Sequence, residues 1–174
     1  MKNEKNKSGA KSQPKKQIEQ TVRNLVSAEI SGLGYELWNI EYYYDGAEWL
    51  LEITIDNPET GISLDDCEKV TRAVNPIIDA ADPIESAYSL AVSSPGLNRE
   101  LKNDFHLSKY INRVVTVKLF AKNEALSSGS KTFNAVLTEF SQENYKFMIV
   151  PENTPVTLTK KEIAHIYAYD EIKF

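Results

Sequence analysis

The sequence predicts an α+β chain built from two units. The first is an α-β-β-α-β domain, a three-stranded sheet with two helices, and the second is a small β-barrel. Three observations carry this prediction. Apolar residues recur at helical spacing twice in the first half. Between those helices, two alternating runs flank Asp45-Gly46-Ala47, which reads as a hairpin. After about residue 100 the pattern turns to short β-branched and aromatic runs at regular spacing, the mark of a small all-β unit.

The elements follow in chain order. Residues 1–16, "MKNEKNKSGAKSQPKK", are rich in Lys, Ser and Asn and nearly free of apolar side chains. They cannot bury enough surface to offset the entropy of ordering, so a disordered basic tail is expected there. It reads either as a solubilising tail or as a polycationic arm on nucleic acid. From Ile18 the spacing of Val22, Leu25, Val26, Ile30 and Leu33 predicts the first helix, and Gly32 and Gly34 end it. Trp38, Ile40, Tyr42 and Tyr44 then alternate with Leu37, Asn39, Glu41 and Tyr43. Trp49, Leu51, Ile53 and Ile55 alternate with Leu50, Glu52, Thr54 and Asp56. "NPETG" is a turn, and Ser63 followed three residues later by Asp66 resembles a capping box. Leu64, Cys67, Val70, Val74, Ile77 and Ile78 form the predicted buried stripe of a second helix, in which Pro76 either makes a kink or starts the last turn. Tyr88, Leu90 and Val92 give a third strand. Both helices are expected on one face of the sheet, which buries the apolar side of each element.

In the second half, "DFHLSKYIN" reads as a short helical turn. "VVTVKLFA", "TFNAVLTEF", "YKFMIV", "PVTLT" and "EIAHIYAY" read as five strands. The expected division is a tail over 1–16, an acidic α/β domain over 17–98 and a barrel over 99–174. Each domain is near the size at which a single core becomes marginal.

Charge is distributed unevenly. Residues 1–16 carry six lysines against Glu4. Residues 17–101 carry four basic and 16 acidic side chains, and residues 102–174 carry ten basic and eight acidic ones. The total is −5. A strongly acidic segment between basic and near-neutral ones is a clue to partners. The single cysteine, Cys67, excludes an intrachain disulfide and points to a reducing compartment. With no apolar run of membrane-spanning length, the expectation is a soluble cytoplasmic protein, a monomer without membrane partners.

Chemistry-bearing patterns are few. His106 and His165 are far apart, with no Cys-x-x-Cys or His-x-x-x-His, so no metal site is expected. Cys67 falls on the predicted buried stripe and reads as a small core hydrophobe rather than a nucleophile. The seven glycines form no phosphate-binding loop of a common pattern, and no cofactor is expected. Asp65, Asp66 and Glu68 lie at a helix N-terminus, where the macrodipole favours negative charge.

The stretch "YSLAVSSPGLNREL", residues 88–101, is the most unusual in the chain. A serine nucleophile there lacks both a base of suitable context and the Gly-x-Ser-x-Gly elbow. Pro95 fixes φ and Gly96 permits positive φ, so together they turn the chain out of the third strand. Ser93 and Ser94 are placed to bond the turn backbone. The planar fork of Arg99 suits carboxylates or carbonyls of the acidic domain.

This stretch resembles the signature of the bacterial ribosome maturation factor RimP family, in which a strand runs into Ser-Ser-Pro-Gly and then leucine, an acidic residue and arginine. "GISLDDCEKVTRAVNPIIDAADPI" is similar to the family's second helix, and "DFHLSKYINRVVTVKL" to the entry of its second domain. The similarity runs in order from about residue 18 to 174. The chain departs from the signature at Ala91, Asn98 and Glu100, where glutamate, an acidic residue and proline are usual.

The resemblance implies a non-enzymatic assembly factor that binds the free small ribosomal subunit, with contacts to ribosomal protein and RNA. It also implies an α/β first domain and a barrel similar to SH3 or Sm domains. Two roles for the segment around Ser93, Ser94, Pro95, Gly96, Asn98 and Arg99 stay open, a domain junction and a ribosome contact. Lys109, Arg113 and Lys118 are further candidate contacts, among barrel lysines that also read as a solvated surface. The acidic domain should repel phosphate and suit a basic ribosomal protein, leaving RNA to the barrel and the tail. An alternative is a free-standing Sm-like RNA-binding module acting outside ribosome assembly.

Overall fold

The computed structural model describes residues 13–124, 126 and 129–169. Most of the basic tail, residues 1–12, therefore lies outside the described residues. The chain divides into two compact units, residues 1–95 and 96–174.

The first unit opens with α1 (Lys15–Gly32). Pro14 precedes it with φ −59°, and its carbonyl accepts from the N–H groups of Gln17 and Ile18. Proline suits this place because its ring pre-sets a helical φ and it lacks an N–H that would go unpaired. Lys15 and Lys16 of the basic segment are thus helical, since the helix extends one turn ahead of the apolar pattern. Ile18, Val22, Val26 and Ile30 form its buried stripe. Leu33 caps its end, and Gly34 leaves the helix with φ +91°.

Strands β1 (Glu36–Tyr44) and β2 (Trp49–Asp56) form the antiparallel hairpin. Its turn is locked by Asp45, whose Oδ1 accepts from the N–H groups of Ala47 at 2.8 Å and Glu48 at 2.9 Å. Those bonds hold the Asp45 carboxyl below the ordinary carboxylate range. Trp38, Ile40, Tyr42, Leu51, Ile53 and Ile55 are buried as their alternation predicts. The pattern breaks at both ends. Tyr44 is 53% exposed and Trp49 only half-buried, although the two remain paired at the turn end of the hairpin. The register also shifts between Leu37 and Asn39. An extra residue in one strand re-aims the side chains before it, and Leu37 packs against the core instead of facing away.

Helix α2 (Leu64–Ala81) begins with a complete capping box. Ser63 Oγ accepts from the Asp66 N–H, and Asp66 Oδ2 accepts from the Ser63 N–H at 2.8 Å. Val70, Val74 and Ile78 are buried, and Pro76 sits inside a helix that continues to Ala81. The predicted stripe needs correction at its start. Leu64 is 88% exposed and Cys67 half-buried, and neither joins the packed core, which α2 enters at Val70. Strand β3 (Ser89–Ser93) then lies parallel to β2, giving the order β1-β2-β3. A parallel neighbour cannot be reached by a tight turn, so α2 serves as the crossover. One core gathers the stripes of α1 and α2 with Ile40, Tyr42, Leu51, Ile53 and Ile55.

In the second unit, Asn103 caps the single-turn helix α3 (Asp104–Ser108) by accepting from the His106 N–H at 2.9 Å. Five strands follow: β4 (Val114–Leu119), β5 (Thr132–Phe140), β6 (Asn144–Ile149), β7 (Thr154–Thr159) and β8 (Ile163–Ala168). They pair antiparallel in the order β7-β6-β5-β4-β8. Val115, Val117, Leu119, Leu137, Phe147 and Leu158 make the buried side. The expected barrel is not closed by pairing, because β7 and β8 stand at opposite edges of the sheet. The entry segment is tied to β8 instead. Leu101 N–H donates to the Ile166 carbonyl and Ala168 N–H to the Arg99 carbonyl.

Candidate functional site

The candidate residues fall into the two units. In the first, β3 delivers the serine segment. Leu90 and Val92 pack toward the core, so the alternation turns Ser89 and Ser93 to the opposite face of the sheet. On β2 the same parity places Glu52 there, with Glu48 just before the strand. Ser93 Oγ donates to Glu52 Oε1 at 2.9 Å, and Ser89 Oγ donates to Glu48 Oε2 at 2.5 Å. Tyr43 Oη adds a donation to the other oxygen of Glu52 at 3.2 Å. Glu52 and nearby charges raise the Tyr43 hydroxyl above its ordinary value.

This differs from the predicted role of Ser93. Its hydroxyl bonds a glutamate on the neighbouring strand and not the turn backbone, because the parallel register sets it opposite Thr54, two residues from Glu52 on the same face. Glu48, Glu52, Tyr43 and Ser89 were not among the predicted site residues. Period-two alternation could have placed the glutamates on one face, but not the serines beside them.

Glu41 stands directly opposite Glu52 across the β1–β2 pair. Like charges facing each other disfavour a bare sheet. Counting residues 13–95, this unit carries fifteen acidic and five basic side chains. Its helix face has a second fixed carboxylate. Asp66 accepts from the Tyr35 hydroxyl and from Ser63, which lowers its pKa to about 2. Burial and the neighbouring Asp66 push the Cys67 thiol up, away from a thiolate nucleophile.

Beyond Ser93 the chain leaves the sheet. Ser94 is exposed and Pro95 half-buried. Gly96 takes φ +73°, and a Cβ built there would meet nothing within 4 Å. Glycine is therefore required by conformation and not by space. Leu97, 71% exposed, and exposed Asn98 follow.

In the second unit Arg99 is half-buried and its carbonyl joins the β8 ladder. Glu100 Oε1 lies 2.5 Å from His165 Nδ1. Lys109 sits at the end of α3 with its ammonium 5.4 Å from the centre of the Phe105 ring. The Arg113 guanidinium lies 4.9 Å from that of Tyr110. Lys118 is exposed on β4, paired in register with His165 of β8 and Thr132 of β5. Lys118 is thus near the Glu100–His165 pair, whereas Lys109 and Arg113 belong to the α3 end.

Among the described residues, no group of three or more His, Cys, Asp or Glu could hold a metal ion. No helix among them is long and apolar enough to cross a membrane.

Residues 25–98 match the family model of the RimP N-terminal domain. Over that span the chain is similar to the N-terminal domain of RimP proteins. The matched span begins within α1, contains the hairpin, the capped α2 and β3, and ends two residues past Gly96. The glutamate–serine face, the capping box and the positive-φ glycine thus all lie inside the RimP N-terminal match. RimP proteins are ribosome maturation factors.

Proposed function

We propose that the protein is a non-catalytic assembly factor that binds the free small ribosomal subunit and assists its maturation. The match of residues 25–98 to the RimP N-terminal domain carries this reading. Charge supports a division of labour between the units. The first, with fifteen acidic side chains against five basic ones over residues 13–95, suits a basic small-subunit ribosomal protein. Complementary charge of this kind speeds encounter and selects partners. The same field repels phosphate, the main source of affinity for nucleic acid. RNA contact therefore falls to the second unit and the basic N-terminal segment. Ser94, Gly96, Asn98 and Arg99, with Lys109, Arg113 and Lys118, contribute to the subunit contact in this reading.

The test is sucrose-gradient sedimentation of the tagged full chain in cell lysate. The expected result is co-migration with free small subunits and absence from assembled ribosomes. Failure to sediment with any ribosomal particle at low salt would overturn the proposal.

A further inference from the structure

Phe120 follows β4 and is 66% exposed, while its neighbour Leu119 is buried. Leaving a phenylalanine in water forgoes stabilisation that burial would bring. Its backbone is nevertheless fixed. The Phe120 N–H donates to the Glu162 carbonyl at 3.1 Å, and the Phe120 carbonyl accepts from Lys131 Nζ at 3.1 Å. An aromatic ring is thus anchored in solvent beside an ammonium group.

The surroundings are cationic. Leu119 to Glu124, with Lys161 and Glu162, line one open depression. Lys118, two residues before Phe120, is exposed on the same side of β4, opposite the buried Val117 and Leu119. Lys122, Lys131 and Lys161 are exposed as well. Two carboxylates, Glu124 and Glu162, line the same depression, and Glu162 is held in place by its neighbours. It accepts from the Thr159 N–H at 2.7 Å and from the Thr159 hydroxyl at 2.8 Å, bonds that lower its pKa and close the β7–β8 turn. Glu124 and Glu162 together offset two of the four lysines, which leaves the corner net positive.

We infer that this corner is a stacking platform for single-stranded RNA, in which the Phe120 ring takes the face of one base and Lys118, Lys122, Lys131 and Lys161 take the flanking phosphates. Exposed aromatics within a basic groove are how proteins hold unpaired nucleotides without reading their sequence. Charge selects this occupant over a basic protein, which the lysines would repel. The inference rests on the assembly-factor reading for the identity of the polymer, since a maturing subunit presents unpaired RNA.

The test is fluorescence anisotropy of the full chain with a labelled oligoadenylate of about twelve nucleotides, within the usual site size for such grooves. Phe120→Ala should weaken binding by about 5- to 150-fold, the loss of one base–aromatic stack, with its melting temperature kept because the ring is exposed. Phe120→Tyr should bind like the native chain. Each of Lys122→Gln and Lys161→Gln should flatten the salt dependence by about 0.7 in log–log slope. Native-level binding by Phe120→Ala, or no binding by the native chain, would overturn the platform. Sedimentation of the same proteins keeps the two readings separate. A native chain that sediments with small subunits but does not bind the oligonucleotide refutes the platform alone. One that binds through Phe120 but never sediments with subunits supports the platform and refutes the assembly reading.

Discussion

Leu64 and Val70 occupy the same predicted apolar stripe of α2, and the fold separates them. Val70 is fully buried between the helices and the sheet, whereas Leu64 is 88% exposed. Val70→Ala removes two methyl groups from the core. At about 0.8 kcal/mol each, the transfer loss is about 1.6 kcal/mol. A residual cavity adds to it, and the better helix propensity of alanine returns about 0.5 kcal/mol. The net cost is about 2 kcal/mol, which lowers the melting temperature of a domain this small by about 8–16 °C. Leu64→Ala loses little buried surface and stays within about 0.5 kcal/mol. Both tryptophans, Trp38 and Trp49, lie in the first unit, so their fluorescence follows the unfolding of this unit in the full chain. Equal melting shifts for the two variants would refute the reasoning, since they would mean that position on the helical stripe decides and burial does not.

Three further outcomes follow from local geometry. At Gly96, where φ is +73° and no atom crowds a Cβ, valine costs about 1–3 kcal/mol of backbone strain. Gly96→Asn is milder, Ser94→Ala is near neutral, and equal thermal melts for Gly96→Val and Ser94→Ala would contradict this. Ser93→Ala removes the donation to Glu52 and costs about 1 kcal/mol; a fluorescence melt unchanged from the native chain would show the bond to be without weight. Asp66 has its folded pKa depressed to about 2 from an ordinary 3.8, so its contribution is complete above about 4 and fades as pH falls toward about 2. Asp66→Asn should remove this component from the acid-unfolding profile, and an unaltered profile would count against the Asp66 carboxylate, held by Tyr35 and Ser63, as its source.

The elements themselves were legible because they depend on short-range chemistry. Period-four stripes marked both long helices, Ser63 and Asp66 marked the start of α2, and Asp45-Gly46 marked the hairpin. Each signal lies within a few residues of the structure it specifies. The need for glycine at 96 was readable too, since positive φ after a proline is a local demand. What stayed hidden depends on partners distant in sequence. Leu37 follows the wrong alternation until the register shift opposite β2 is known. Ser93 looks like a turn residue until β3 is laid parallel to β2 and Glu52 arrives beside it. Leu64 continues a helical stripe, yet it stands outside the core that the stripe enters at Val70. The five later strands were apparent one by one, but their order, with β7 and β8 at opposite edges and the entry segment tied to β8, was not. By itself the sequence determined which segments are helix, strand and turn, along with the acidic balance of the first unit and the likeness to RimP proteins. Tertiary structure alone decided strand order, register and burial, because hydrogen-bond partners and covered area are properties of pairs of segments, and a linear pattern describes only one segment at a time.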